Sequence, residues 1–154
     1  MLNIPAITRK KRKASYKKPE AVKLLEALAD VEARLKHPDM PNLCPRTFRD
    51  DTANSLTACI VKYVTLKGGF ASRISNQGTF NRRLNKYIPG TSRRGLADVM
   101  ATYKGKSIHC EVKIGRDEQS EVQKKIEFEV IRSGGYYYLA HDFESFKTYF
   151  DNLK

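Results

Sequence analysis

Residues 95–114 read GLADVMATYKGKSIHCEVKI and predict the central element of this protein. Residue types alternate over positions 107–114, which is typical of a strand with one buried face. The apolar face would carry Ile108, Cys110, Val112 and Ile114, and the polar face Ser107, His109, Glu111 and Lys113. Residues 103–106 (YKGK) predict a short turn. The two flanking strands should therefore form a hairpin that brings Asp98 close to Glu111 and Lys113.

Length and composition bound the rest. The chain has 154 residues, enough for one ordinary domain, and no apolar run approaches the roughly 18 residues of a membrane span. Its N-terminus lacks the apolar region of a secretory signal, so we expect a cytoplasmic protein that makes no use of membranes. Three cysteines without a CxxC pair favour reduced thiols over a disulfide framework or a zinc site. The net charge of +12 favours a polyanionic partner.

The chain divides into three segments. Residues 1–18 form a basic arm with few apolar side chains, which we expect to be disordered when free. Residues 19–48 predict an N-terminal helix, to about Lys36, followed by a Pro-rich connection. The helix should bury an apolar stripe of Val22, Leu25, Leu28, Ala29, Val31 and Leu35. Residues 49–154 hold the remaining elements and the candidate site.

The pattern of these elements predicts the fold class. Further helices are expected at residues 51–66, at 117–132 and from residue 142 onward, and strands at 70–74 and 136–140. Together with the central hairpin, they predict an α/β domain with a mixed sheet of about four strands flanked by helices. Residues 75–94 are expected to form a long polar and basic loop, a feature that is more often functional than idle.

The residue types of the hairpin suggest metal-assisted phosphodiester chemistry. The carboxylates of Asp98 and Glu111 suit Mg²⁺, with Mn²⁺ as a substitute, and the backbone carbonyl of Val112 could be a further ligand. Lys113 could orient an attacking water and offset developing charge. The residues alone leave an equal alternative, in which Asp98 is a turn carboxylate and Glu111 and Lys113 form a surface ion pair.

A resemblance to a known family favours the first interpretation. Residues 95–98 (GLAD), 111–113 (EVK) and 120–123 (SEVQ) resemble the PD-(D/E)xK nuclease superfamily, and more narrowly its virus-type replication-repair nuclease (VRR-NUC) group. The similarity covers about residues 50–150. It implies a restriction-endonuclease-like core of αβββαβ type. By position, it also implies that Asp98 and Glu111 bind the metal, that Lys113 is the catalytic lysine and that Gln123 faces the site.

The sequence departs from the family pattern in two places. Ala97 stands where the motif usually has proline, which is not a ligand. The family usually also has a glutamate on the helix that corresponds to residues 51–66, whereas the nearest positions here hold Asp50, Asp51 and Asn54. Loss of that acid would weaken a second metal site.

The expected partner is DNA, and the resemblance implies a branched or junction substrate in phage or bacterial recombination and repair, with a possible homodimer. The expected phosphate contacts are Arg73, Asn76, Arg82, Arg83, Arg93 and Arg94. His109 could assist the site or be an ordinary strand histidine. The alternatives are a catalytically weak nucleic-acid-binding protein that retains the nuclease fold, and a basic packaging protein.

Overall fold

The computed structural model describes residues 16–75, 78–88 and 93–153. The predicted basic arm falls almost entirely outside these residues, as does Asn76. The helices are α1 (Glu20–Lys36), α2 (Ala53–Leu66), α3 (Glu121–Arg132) and α4 (Phe143–Asp151). The strands are β1 (Phe70–Arg73), β2 (Thr79–Asn81), β3 (Lys86–Ile88), β4 (Val99–Tyr103), β5 (Lys106–Val112) and β6 (Tyr136–Ala140).

Four strands form the central mixed sheet, as predicted, in the order β1-β4-β5-β6. β1 is antiparallel to β4, β4 is antiparallel to β5, and β6 is parallel to β5. The connection between β4 and β5 is the predicted tight turn, in which Lys104 and Gly105 have positive φ angles of 48° and 75°. The parallel β5–β6 pair needs a crossover, and α3 provides it.

Helices cover both faces of the sheet. The apolar face of β5, with Ile108 and Cys110, packs into one core with α2 and α4. Val22 and Leu25 of α1 are fully buried in the same core. The boundary at residue 48 therefore separates sequence segments and not separate cores. On the opposite face α3 contacts β6 and buries Ile126. In the described part of the chain, no helix is long and apolar enough to cross a membrane.

The predicted α1 stripe is wrong for several positions. The buried side chains are Ala21, Val22, Leu25, Ala29 and Ala33. Leu28, Val31 and Leu35 point instead to solvent, and Leu35 is 78% exposed. Apolar residues occur on two adjoining sides of this helix, and periodicity alone does not show which side meets the core.

The long predicted loop contains a second hairpin. β2 and β3 pair antiparallel in a two-stranded sheet of their own, with Phe80 opposite Tyr87. Each strand is only three residues long, which is too short for an alternating pattern to be recognised. The prediction of an unbroken loop over 75–94 is therefore wrong for residues 79–88.

Two helices begin later than predicted. α2 begins at Ala53, and Thr52 caps it by accepting a hydrogen bond from the Ser55 N–H. α3 begins at Glu121 and not at Asp117, because Ser120 is its N-cap. In both cases the predicted range begins at an acid, Asp51 or Asp117, that lies ahead of the N-cap.

Asp50 is a structural residue and does not belong to a metal site. Its carboxylate is buried, accepts the Tyr16 hydroxyl at 2.7 Å and accepts the Phe143 N–H at 3.3 Å. It thereby joins the segment before α2 to the start of α4. Burial of Tyr16, and then its hydrogen bond to Asp50, raise the pKa of Tyr16 to about 12.

Replacement of Asp50 should test this structural role. Asp50→Ala leaves the Phe143 N–H without its partner in a buried position, and we expect the free energy of unfolding to fall by about 2–3 kcal/mol. Urea denaturation monitored by circular dichroism measures this change. The control, Asp39→Ala, removes an exposed carboxylate and should change stability by less than about 0.5 kcal/mol. Equal midpoints for the two variants would contradict the structural role.

Candidate functional site

The loop before β4 fixes the position of Asp98. Gly95 adopts a positive φ of 82°, a conformation that L side chains rarely occupy. A Cβ atom at this position would lie 2.8 Å from Cγ1 of Val122, in the first turn of α3. The glycine therefore lets the loop pass directly over that turn. Ala97 follows as a fully buried residue, and Asp98 emerges beside β5.

Two neighbouring strands hold Asp98. Its backbone carbonyl accepts the Ile74 N–H at 2.8 Å, just beyond β1. Its carboxylate oxygen Oδ2 accepts the Val112 N–H of β5 at 3.0 Å. In the β4–β5 register Val99 lies opposite Cys110, so one further step places Asp98 opposite Glu111. The structure thus places Asp98 beside Glu111, as the hairpin predicted from the sequence requires.

Glu111 is buried, whereas the alternating pattern of β5 predicted a solvent-facing side chain. It is 3% exposed because α3 covers the polar face of the strand. Its oxygen Oε1 lies 3.2 Å from Nζ of Lys113 and accepts a hydrogen bond from Nε2 of Gln123 at 2.5 Å. The second oxygen, Oε2, is also buried and has no hydrogen-bond partner among the described residues. Glu111 and Lys113 therefore do form an ion pair, as the alternative expected, but the pair is buried and does not lie at the surface.

Burial controls the charge of this carboxylate. Desolvation raises the pKa of Glu111 above its usual value, and the nearby charge of Asp98 raises that pKa further. Lys113 opposes both effects because its ammonium group favours the ionised carboxylate. The net direction is upward. A cation placed between Asp98 and Glu111 would relieve both causes of the shift.

Lys113 is also buried, with 6% of its surface exposed. Its ammonium group lies between the carboxylates of Glu111, at 3.2 Å, and Asp117, at 3.4 Å. Its backbone is held on both sides, because its N–H donates to the Ala140 carbonyl at 2.9 Å and its own carbonyl lies 3.0 Å from Nδ1 of His141. The lysine is therefore fixed at the end of β5, beside the two acids.

Gln123 joins α3 to the site through both ends of its amide. Its Oε1 accepts the Ser120 N–H at 2.9 Å, while the Ser120 hydroxyl accepts the Gln123 N–H at 3.3 Å, which completes a capping box. The NH₂ group of the same amide donates to Glu111. This contact brings Gln123 against Glu111, as the spacing of the motif predicts. Ser120 fixes the amide.

His109 lies on the same strand face, two residues before Glu111. It is 9% exposed, its Nε2 is 3.3 Å from the Ser107 hydroxyl, and its Nδ1 has no partner among the described residues. Burial lowers its pKa, so the ring is neutral at pH 7. The ring lines a cleft of about 370 Å³ between the sheet and α3, together with Leu96, Ile126 and Gly135. No contact links it to Glu111.

The residues nearest to the expected helix acid make contacts with arginine side chains. Asp51 forms an ion pair with Arg49 at 2.6 Å, and the side-chain oxygen of Asn54 accepts a hydrogen bond from Arg73 at 2.6 Å. Within residues 16–75, 78–88 and 93–153, no three His, Cys, Asp or Glu side chains gather into one potential metal site. Within the described chain, no third acid therefore joins Asp98 and Glu111 in one potential metal site, and Asp117 lies instead against Lys113.

The predicted phosphate contacts lie in different settings. Arg73 is bound to Asn54, and Arg93 forms an ion pair with Glu129 of α3 at 2.8 Å. Arg82 and Arg83 are exposed in the turn between β2 and β3. Arg94 is exposed in the loop that leads to Asp98. Arg82, Arg83 and Arg94 could therefore bind a polyanion without breaking a side-chain contact seen in the described chain.

No protein-family model, curated protein or solved structure matches this chain. The function is accordingly argued from the contacts of Asp98, Glu111, Lys113 and Gln123.

The stability of the site should depend on pH in a defined direction. Because the pKa of Glu111 is raised on folding, the folded chain binds more protons than the unfolded chain between the unfolded and folded pKa values. Its free energy of unfolding therefore falls as the pH rises through that interval, which begins near the ordinary glutamate value. Glu111→Gln removes this dependence, so it should be more stable than the wild type at neutral pH.

Urea midpoints measured in EDTA across this pH range provide the test. The control, Glu118→Gln, changes an exposed carboxylate ahead of α3 and should follow the wild-type curve. A Glu111→Gln variant that is less stable than the wild type at pH 7, with the same pH slope, would contradict the assigned charge balance.

Proposed function

We propose that this chain is a metal-dependent deoxyribonuclease, an endonuclease that hydrolyses phosphodiester bonds with Mg²⁺ or Mn²⁺. One observation supports this function above all others. The buried carboxylate of Glu111 lies beside Lys113 and opposite Asp98, and one of its oxygens has no partner among the described residues. A buried carboxylate with a free oxygen destabilises a fold, and such groups are concentrated at functional sites.

The residues present fit a magnesium ion. Asp98 and Glu111 offer carboxylate oxygens on adjacent strands, and the backbone carbonyl of Val112 lies between Glu111 and Lys113 in the chain. Mg²⁺ prefers such oxygen ligands and commonly takes only one or two carboxylates from the protein, together with substrate phosphate. When bound, the ion would neutralise phosphate charge and lower the pKa of a water molecule. With two acids, the site suits one metal better than two.

The side chains around the acids have distinct roles. Lys113 would offset negative charge as it develops on the phosphate and would orient the attacking water, because its ammonium group is held rigidly beside Glu111. Gln123 would act as a positioning residue, since its amide fixes one oxygen of Glu111 and leaves the other available. Asp98 is kept in place by the Val112 N–H.

The order of elements also supports the proposal. If α1, the β2–β3 hairpin and α4 are set aside, the chain reads α2-β1-β4-β5-α3-β6, which is the αβββαβ order of the restriction-endonuclease-like core. The proposed family is the VRR-NUC group of the PD-(D/E)xK superfamily, on the motifs that include Asp98, Glu111, Lys113 and Gln123.

The proposed substrate is DNA, branched DNA included, in phage or bacterial recombination and repair in the cytoplasm. The net charge of +12 and the exposed Arg82, Arg83 and Arg94 support a polyanionic partner. A homodimer is a further part of the proposal. The exposed apolar side chains of α1, among them Leu28, Val31 and Leu35, support it because they offer a face that a second copy could bury.

A second candidate function is a nucleic-acid-binding protein with weak or no catalysis. The observation that favours it is that no third acid joins Asp98 and Glu111 in a potential metal site within the described chain, where Asn54 binds Arg73 instead. A site with one fewer charge would bind metal less tightly. Cleavage and binding must therefore be measured separately.

Replacement of Lys113 tests the chemistry. We expect Lys113→Ala to reduce the cleavage rate roughly 100- to 1000-fold, because it removes the ammonium group that lies beside Glu111. The assay uses labelled linear duplex, single strand, flap and four-way junction, with Mg²⁺, Mn²⁺ or EDTA. Lys36→Ala is the matched control, since it removes an exposed lysine of α1 and should cleave at the wild-type rate.

Replacement of Asp98 separates the two candidate functions. The nuclease proposal predicts that Asp98→Asn loses cleavage but keeps or improves its affinity for DNA, because a negative charge near the phosphate is gone. Unchanged cleavage and unchanged binding in this variant would support the binding protein. Wild-type cleavage by Lys113→Ala would show that the hydrolysis, if present, takes place elsewhere.

A further inference from the structure

The β2–β3 hairpin has no part in the proposed catalytic site, and its surface carries large apolar side chains. It forms a two-stranded sheet of its own, and its apolar side chains are largely open to solvent. Phe80 is 54% exposed, Leu84 63% and Tyr87 57%. Large apolar side chains at such exposure, grouped on one short ribbon, indicate a binding surface.

The two aromatic rings share one face of the ribbon. Phe80 and Tyr87 are directly opposed in the antiparallel register, and opposed residues point to the same side. A Cβ atom at Gly78 would lie 2.6 Å from the ring of Tyr87, so the ring rests against the bare backbone at that position. The absence of a side chain at Gly78 thus lets the Tyr87 ring pack against the backbone, while more than half of the tyrosine surface stays exposed.

The turn at the end of the hairpin is preformed. The side-chain oxygen of Asn81 accepts the N–H groups of Arg83 and Leu84 at 3.0 and 3.1 Å, and Asn85 adopts the left-handed conformation with a φ of 44°. Such an Asx turn holds the backbone without help from a neighbouring element. Arg83 and Leu84 are therefore presented from a defined tip and not from an irregular loop.

The charged residues of the hairpin and of the chain on either side of it are all basic. Residues 52–97 contain eight Lys or Arg and no Asp or Glu. Within the hairpin, Arg82, Arg83 and Lys86 are all exposed. An apolar protein partner would have to bury these basic side chains without a counter-charge, which is unfavourable. A nucleic acid instead offers phosphates to the basic side chains and flat bases to the rings.

Stacked bases in a regular duplex have their faces covered by their neighbours, so rings such as these can only meet bases that are unpaired. We propose that the β2–β3 hairpin binds unpaired nucleotides of a DNA substrate, with Phe80 and Tyr87 stacking on bases and Arg82, Arg83 and Lys86 contacting the adjoining phosphates. This inference rests on the proposed function for the identity of the nucleic acid. It makes the hairpin the element that selects branched or partly single-stranded DNA over plain duplex.

Binding in EDTA tests the hairpin without cleavage. Fluorescence anisotropy measures the affinity of the full chain for a labelled duplex and for the same duplex with a single-stranded flap. We expect the wild type to prefer the flap, and Phe80→Ala with Tyr87→Ala to weaken flap binding by about tenfold or more while plain duplex binding stays within about twofold. The double variant Arg82→Ala with Arg83→Ala should bind both the duplex and the flap substrate more weakly, because phosphate contacts do not depend on base pairing.

Two controls keep the test decisive. Phe128→Ala removes an aromatic side chain of α3 that is 65% exposed, and it should leave both affinities unchanged. Phe80→Leu with Tyr87→Leu keeps the apolar bulk and the fold of the ribbon but removes the stacking faces, so it should also lose the preference for the flap. Wild-type preference in this variant, or equal loss on both substrates in the alanine variant, would overturn the proposal.

The outcomes also separate this proposal from the nuclease function. A wild type that prefers the flap through Phe80 and Tyr87 but never cleaves in Mg²⁺ or Mn²⁺ would support the hairpin and reject the nuclease. A wild type that cleaves while the double variants retain its substrate preference would reject only the hairpin. Association of the hairpin with a second copy, detected by sedimentation and lost in the alanine variant without any change in DNA affinity, would also overturn the proposal.

Discussion

The pairing of β4 with β5 is the constraint on which the candidate site depends. It places Asp98 opposite Glu111, and the bond from the Val112 N–H to the Asp98 carboxylate fixes the end of that pairing. A slip of one residue would turn Glu111 and Lys113 to the other face of the sheet, into the apolar core. The burial of Ile108 and Cys110 on that core face opposes any such slip. The stability of the core thus determines the geometry of the acids.

α3 adds a second constraint by covering the polar face of β5. A helix packed on a row of charged side chains must satisfy them or destabilise the fold, and Gln123 satisfies only part of the demand. One Glu111 oxygen is left without a partner among the described residues, and the pKa of this carboxylate is raised. Such local cost is typical of a site shaped for a ligand, and a divalent cation is the ligand whose charge would remove the cost.

Much of this arrangement could be predicted from sequence, because it depends on local patterns. The alternation over 107–114 and the turn at Lys104-Gly105 predict the hairpin, and the position of Gln123 twelve residues after Glu111 follows from the spacing of the motif. What could not be predicted depends on tertiary packing. The burial of Glu111 results from the helix above it, the burial of Asp50 from its contact with Phe143, and the exposure of Leu35 from the side of α1 that meets the core. The β2–β3 hairpin was not predicted because its three-residue strands are too short to show an alternating pattern.

Binding of Mn²⁺ tests the central claim most directly, because it does not depend on choosing the correct DNA. Electron paramagnetic resonance counts the free ion as it is titrated into the wild type, Asp98→Asn, Glu111→Gln and an exposed control, Asp39→Asn. We expect saturable binding of about one ion by the wild type and the control, and affinity at least about tenfold weaker in both site variants. A wild type that binds no Mn²⁺, or site variants that bind it as tightly as the control does, would show that Asp98 and Glu111 do not form a metal centre.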